Sequence, residues 1–322
     1  APSKYQVAVV NSTYNPNKKT NLFGEIALSN NDANLFSSID DTKNKGLAAK
    51  LKWEQIYMDN KWKLSSVFDF SFIHQNFATE QRFDAIEFRR DWNIVNPSGN
   101  RNQINAQFIL DNKKRSKYLY GFQLLNYSDN YTGIKHNFNS QTTIKKTTFN
   151  SFVSLLKSES SIEKNNFLRA KGKIEHSFSN TWIGGFVNLE TNKIASKTNQ
   201  QLNQLSHQFK EYETYIGLGD STKVHAKIGF NFRQNDSIRN NAFTQINSRK
   251  TYYIKSKILQ NSTSNLSIFA NYRVTNNAFK NDEKALNSKI VYSQKLFNNF
   301  INFNTVYETS SGNIPRQEYV YI

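Results

Sequence analysis

Residues 223–233 read Lys-Val-His-Ala-Lys-Ile-Gly-Phe-Asn-Phe-Arg, apolar at every second position and basic, polar or glycine in between. That is the period of a β-strand with one apolar face. Val224, Ala226, Ile228, Phe230 and Phe232 fall on one side, and Lys223, His225, Lys227, Asn231 and Arg233 on the other. The same alternation returns along most of the chain, in Leu47 to Trp53, Trp62 to Phe72, Ile104 to Leu110, Tyr118 to Leu124, Phe149 to Lys157, Phe167 to Phe178 and Trp182 to Leu189. It continues in Phe209 to Leu218, Lys250 to Gln260, Asn265 to Thr275, Lys284 to Leu296, Phe300 to Thr309 and Gln317 to Ile322. The expectation is a single all-β domain over 1–322, an antiparallel up-and-down meander of about 18 strands without a helix.

Composition agrees with strands that are apolar on one side only. Hydrophobic residues make up 37% and mean hydropathy is -0.69, yet there are 25 Phe and 16 Tyr, which sets the chain apart from disordered sequences. The four prolines, at 2, 16, 97 and 315, all fall where the alternation stops. With no cysteine, disulfides, thiolate metal sites and a cysteine nucleophile are excluded. No apolar run approaches the roughly 18 to 20 residues of a membrane helix, so any crossing of a bilayer would be by strands.

In the second half the connections alternate in length. Long polar stretches cover 158–165, 192–206, 235–248, 276–283 and 310–316, and short turns fall near Ser179, Gly219, Ser262 and Asn298. Long loops at one end and short turns at the other are the asymmetry of an outer-membrane barrel. The polar stretch 30–44 has the wrong parity for this scheme, which implies a strand uncounted between 76 and 147. The runs 61–72 and 167–178 also match the ~9 to 11 residues that a spanning strand needs better than the usual five or six.

The polar face of the clearer strands carries Lys61, Lys63, Arg169, Lys171, Lys173, Lys223, Lys227, Arg233, Lys255, Lys257 and Arg273 against Asp69, Glu175 and Glu308. In a barrel this face lines the interior and favours anionic ligands; on a soluble sheet it is a solvated surface. Trp53, Trp62, Trp92, Trp182, Tyr127, Tyr131, Tyr252 and Tyr307 near strand ends suit an interfacial girdle as well as core packing. The formal charge of +17 raises nucleic acid as a partner, but its cations are spread over many strands with no recognition motif, which disfavours it.

Motifs for chemistry are missing. His74, His136, His176, His207 and His225 lack metal-ligand spacing, and His176 reads as a hydrogen-bonded strand residue. Asp40-Asp41 with Asn44 and Gly46 resembles a calcium loop only superficially, since Lys43 and Lys45 stand among the would-be ligands. No nucleophile elbow or phosphate loop occurs, so the expectation is a protein without catalytic residues, cofactor or metal.

Several stretches resemble large, strand-rich outer-membrane proteins of Bacteroidota: Glu25-Ile-Ala-Leu-Ser-Asn, Leu35-Phe-Ser-Ser-Ile-Asp-Asp, Arg82-Phe-Asp-Ala-Ile-Glu-Phe-Arg-Arg-Asp-Trp, Gly219-Asp-Ser-Thr-Lys-Val and Val306-Tyr-Glu-Thr-Ser-Ser-Gly. The resemblance covers most of the chain and transfers no active-site residue. It implies a Gram-negative outer membrane, with outer-membrane lipid and other envelope proteins or anionic ligands as partners. It also implies a portion of a larger barrel, because Gln317 to Ile322 ends in mid-strand without a terminal aromatic. Asp236-Ser237-Ile238 matches the O-glycosylation pattern of these bacteria, although an ordinary Asx-type turn is the preferred reading.

The functional expectation is a non-enzymatic outer-membrane β-barrel with a cationic inner face, serving as conduit, envelope scaffold or surface receptor. The alternative is a soluble or cell-surface β-protein that binds an acidic glycan or protein through its Lys/Arg face.

Overall fold

The computed structural model describes residues 2–39, 41–79, 84–220, 224–298 and 300–312. Sixteen strands form one antiparallel sheet in chain order. They are β1 Lys4–Asn17, β2 Thr20–Asp32, β3 Lys45–Asp59, β4 Lys63–Ile73, β5 Arg101–Asp111, β6 Ser116–Tyr127, β7 Tyr131–Ile144 and β8 Thr147–Ser160. β9 Glu163–Ser177, β10 Thr181–Ser196, β11 His207–Gly219, β12 His225–Arg239, β13 Ala242–Gln260, β14 Ser264–Asn277, β15 Glu283–Leu296 and β16 Ile301–Gly312 complete the meander. The order runs from β1 to β16 and does not close on itself among the described residues. Among those residues no helix is long and apolar enough to cross a membrane, which says nothing of crossing by strands.

The count is therefore 16 described strands against about 18 from the sequence, and the expected strand Gln317 to Ile322 lies outside the described residues. The parity fault resolves where it was located. β7 is the strand that the sequence pattern hid, and with it every connection from an odd to an even strand is short, from 18–19 through 112–115 to 297–300. All the long connections, 33–44, 74–100 and 197–206, follow even strands. Two of the expected long loops are strand. The polar runs 158–165 and 235–248 are hairpins that turn at 161–162 and 240–241. Asn240 and Asn241 both take positive φ, 50° and 58°, as a two-residue turn of matching twist requires. Asp236-Ser237-Ile238 accordingly lies inside β12, with Asp236 buried and accepting from Gln234 Nε2 at 2.8 Å, which removes it as a loop glycosylation site.

Backbone contacts divide the chain into two units, Ala1–Thr142 with Phe152–Arg169 and Asn192–Asn203, and Thr143–Ser151 with Ala170–Thr191 and Gln204–Ile322. In both, alternate residues of each strand present a bare apolar face. Leu51 is 60% exposed, Ile228 54% and Tyr252 50%, and Ile104, Ile134 and Ile183 are likewise exposed.

In the first unit the core sits on the opposite, polar face. The segment 84–100, with the short helix α1 Phe88–Asp91, lies there and places Trp92 and Ile94 against Leu125, Tyr131, Leu156 and Phe167. Polar contacts clamp the same segment. Asn93 and Asn192 exchange amide hydrogen bonds of 2.8 and 2.9 Å, Arg169 Nη1 donates to Asp91 at 2.7 Å, and Lys135 Nζ stands 3.9 Å over the Trp92 ring. The Tyr131 hydroxyl donates to the Trp92 carbonyl, and Arg101 grips both oxygens of Asp84 at 2.8 and 3.0 Å. Gly99, at φ +88°, has no room for a Cβ beside Ser128 and Asp129.

Candidate functional site in the second unit

Four strands bring polar side chains to one face here because their registers align the odd-numbered residues. Glu211 opposes Arg233, Glu213 opposes Asn231 and Gly217 opposes Lys227 across β11 and β12. Across β12 and β13, Lys227 faces Lys255, Arg233 faces Arg249 and His225 faces Lys257. Arg273 of β14 faces Thr251, and Asn271 faces Tyr253. Glu211, Glu213, Lys227, Arg249, Lys255 and Arg273 are among the residues that line a groove of about 420 Å³ on the polar face.

Both carboxylates of the groove have partners. Glu213 accepts from Lys227 Nζ at 2.9 Å and from the Tyr253 hydroxyl, and Glu211 accepts from Asn231 at 2.9 Å with Arg233 at 3.6 Å. Lys227 lies 3.6 Å over the Tyr215 ring, whose hydroxyl donates to Glu175 at 2.8 Å, while Lys173 pairs with Glu175 at 3.0 Å. The Tyr253 ring fits only because position 229 is glycine: a Cβ there would stand 2.4 Å from the phenol.

The expected cationic residues separate into groups. Lys227, Arg233, Lys255, Lys257 and Arg273 share the polar face of β12 to β14, and Lys171 and Lys173 lie on the polar parity of β9. Arg169 belongs to the clamp on segment 84–100, and Lys63 opens β4 opposite Asp111. Lys61 sits in the exposed turn 60–62, off any strand face, and Lys223 lies outside the described residues.

Sequence reasoning missed Arg249, Glu211, Glu213 and Tyr253. Arg249 fell between the polar run 235–248 and the strand read from Lys250, and was assigned to neither. The two glutamates share the parity of Tyr215, a signal that sorting Phe209 to Leu218 by face would have exposed.

The aromatic girdle is corrected in part. Trp182 is buried on the polar face, 5.6 Å from Tyr215 and tight against Gly217, and Tyr127 packs at 6.3 Å from Tyr131 on the polar face. Trp92 and Tyr131 are core residues of the first unit, where their polar atoms find buried partners. Trp53 and Tyr252 do face the apolar side, and Tyr307 is exposed, but all three lie within strands; Trp62 alone of the group occupies a turn. His176 is hydrogen-bonded, its Nδ1 2.7 Å from the Thr147 hydroxyl. Among the described residues no cluster of metal-ligating side chains occurs.

No family model matches the chain, and no curated protein sequence matches it either. Solved structures do resemble it. The outer membrane protein OpdK of Pseudomonas aeruginosa aligns over 96% of this chain and 93% of its own, at 10% identity and a TM-score of 0.39. OccK5 (OpdH) of the same organism aligns over 95% and 92%, at 10% identity and a TM-score of 0.37. A structure of OpdK with vanillate aligns over 95% and 93%, also at 10% identity and 0.37. None of these likenesses assigns a role to any residue of this chain.

Proposed function

We propose that the chain is an outer-membrane β-barrel, or a large part of one, that conducts small polar solutes along its polar face. The observation that carries this reading is the bare apolar face. Soluble proteins rarely expose contiguous apolar patches beyond a few hundred Å², yet here exposed Ile, Leu, Phe, Tyr and Trp recur on one side of strand after strand. A hydrocarbon layer is the environment in which such a face is satisfied, and strands of 11 to 19 residues reach or exceed the ~9 to 11 needed to span it. Segment 84–100, held against the polar face of the first unit, supports that face as the inner one.

On this reading the membrane is the outer membrane of a Gram-negative cell, as in the Bacteroidota proteins that the sequence resembles. For the soluble, glycan-binding alternative, no second layer covers the apolar side among the described residues. Reconstitution into planar bilayers tests the proposal: discrete conductance steps are expected, and a protein that inserts without conducting removes the conduit role.

A further inference from the structure

We infer that Arg249 and Arg273 form a binding site for a small organic carboxylate. This rests on the conduit reading for how a solute reaches the groove. The groove carries unmatched charge. Four cations line the groove, Lys227, Arg249, Lys255 and Arg273, against two carboxylates, Glu211 and Glu213. Glu213 is occupied by Lys227 and Tyr253, and Glu211 by Asn231 and Arg233. Arg249, Lys255 and Arg273 have no carboxylate partner among the described residues.

The register sharpens the point. Directly opposed like charges on one face of an antiparallel pair are destabilising, and β12 and β13 carry two such oppositions on this face, Lys227 with Lys255 and Arg233 with Arg249, with two further pairs between them. Arg273, opposite Thr251, is the diagonal neighbour of Arg249 on the next strand. Arg249 Nε is buried and has no hydrogen-bond partner. Such a donor in a site of like charge calls for an anion, and guanidinium forks match the planar geometry of a carboxylate.

The surroundings favour an organic anion. Asn287 donates to Asn271 Oδ1 at 3.1 Å, which leaves the Asn271 amide nitrogen as a further donor, and Phe269 and Tyr253 supply aromatic surface. A groove of this composition holds a charged head by its cations and an apolar or hydroxylated body by the rest.

The test is calorimetric titration of succinate into the detergent-solubilised full chain at low salt, with neutral succinamide as control. Saturable binding of succinate alone, weakened by added salt, is expected. Arg249→Gln and Arg273→Gln each lower the affinity by about tenfold to a hundredfold, Arg249→Lys retains part of it, and Lys114→Gln in the 112–115 turn changes nothing. Heat-modifiable migration on gels confirms that each variant is folded. Wild-type affinity in folded Arg249→Gln and Arg273→Gln overturns the site, as does saturable binding of inorganic phosphate without succinate. A protein that conducts in bilayers but binds no succinate loses the site and keeps the conduit. Arginine-dependent binding by a protein that does not conduct keeps the site and removes the conduit.

Discussion

The polar faces of the two units are built from the same alternation and spend their cations differently. In the first, each cation that meets segment 84–100 has a partner: Arg101 holds Asp84, Arg169 holds Asp91, and Lys135 lies over Trp92. In the second, the carboxylates of β11 neutralise Lys227 and Arg233 and leave Arg249, Lys255 and Arg273 over. Cations in the first unit hold a segment in place, whereas Arg249, Lys255 and Arg273 of the second have no carboxylate partner among the described residues. Charge bias along strands therefore does not mark a binding site; unmatched charge does.

The contrast can be broken in four places. The largest effect is expected at Trp92→Ala, which empties the core of the first unit at a cost of about 3 to 5 kcal/mol and exposes segment 84–100 to added protease. An unchanged melting profile with the segment still protected would show that it is not held by this core. Next, Ile254→Arg on the apolar face should destabilise the protein in lipid by about 2 to 4 kcal/mol at mid-membrane depth, where a solvated face would register almost nothing. Arg169→Gln should cost about 1 kcal/mol, because its pair with Asp91 is only partly shielded from water. The smallest change has the opposite sign. Arg249→Gln relieves the opposition to Arg233 and should stabilise the unliganded protein by about 0.2 to 1 kcal/mol. Destabilisation there would assign Arg249 a structural role and erase the difference between the units.

Much of the architecture was legible because alternation is a local signal. The faces of β12 could be read from residues 223–233 alone, and the observed register keeps them. What could not be read was polar sequence inside strands. Asn235 and Asn247 look like loop residues, yet they face each other across β12 and β13 with a side-chain bond of 2.7 Å. Similarly, Asn165 donates to Ser158 at 3.2 Å within a hairpin that reads as loop. On an inner polar face amides and hydroxyls replace the usual cues for strand, so β7 and the ends of β8, β9, β12 and β13 were lost.

Aromatic position failed for a related reason. Trp182 and Tyr127 carry polar atoms that suit a membrane interface or a hydrogen-bonded interior equally, and which face they occupy depends on register. The candidate site was half legible for the same cause: Lys227, Lys255 and Arg273 stood in clean alternation, while Arg249 fell at the boundary between the polar run and the strand, and the role of Glu211 and Glu213 needed the pairing of β11 with β12.

The most direct test of the central claim, that the apolar face lies in lipid, is fractionation of cells that make the protein, followed by a carbonate wash of the outer-membrane pellet. Retention in the pellet, with release only by detergent, is the result expected. Release of a monodisperse protein into buffer would contradict the account and make the apolar face a surface covered by something other than membrane.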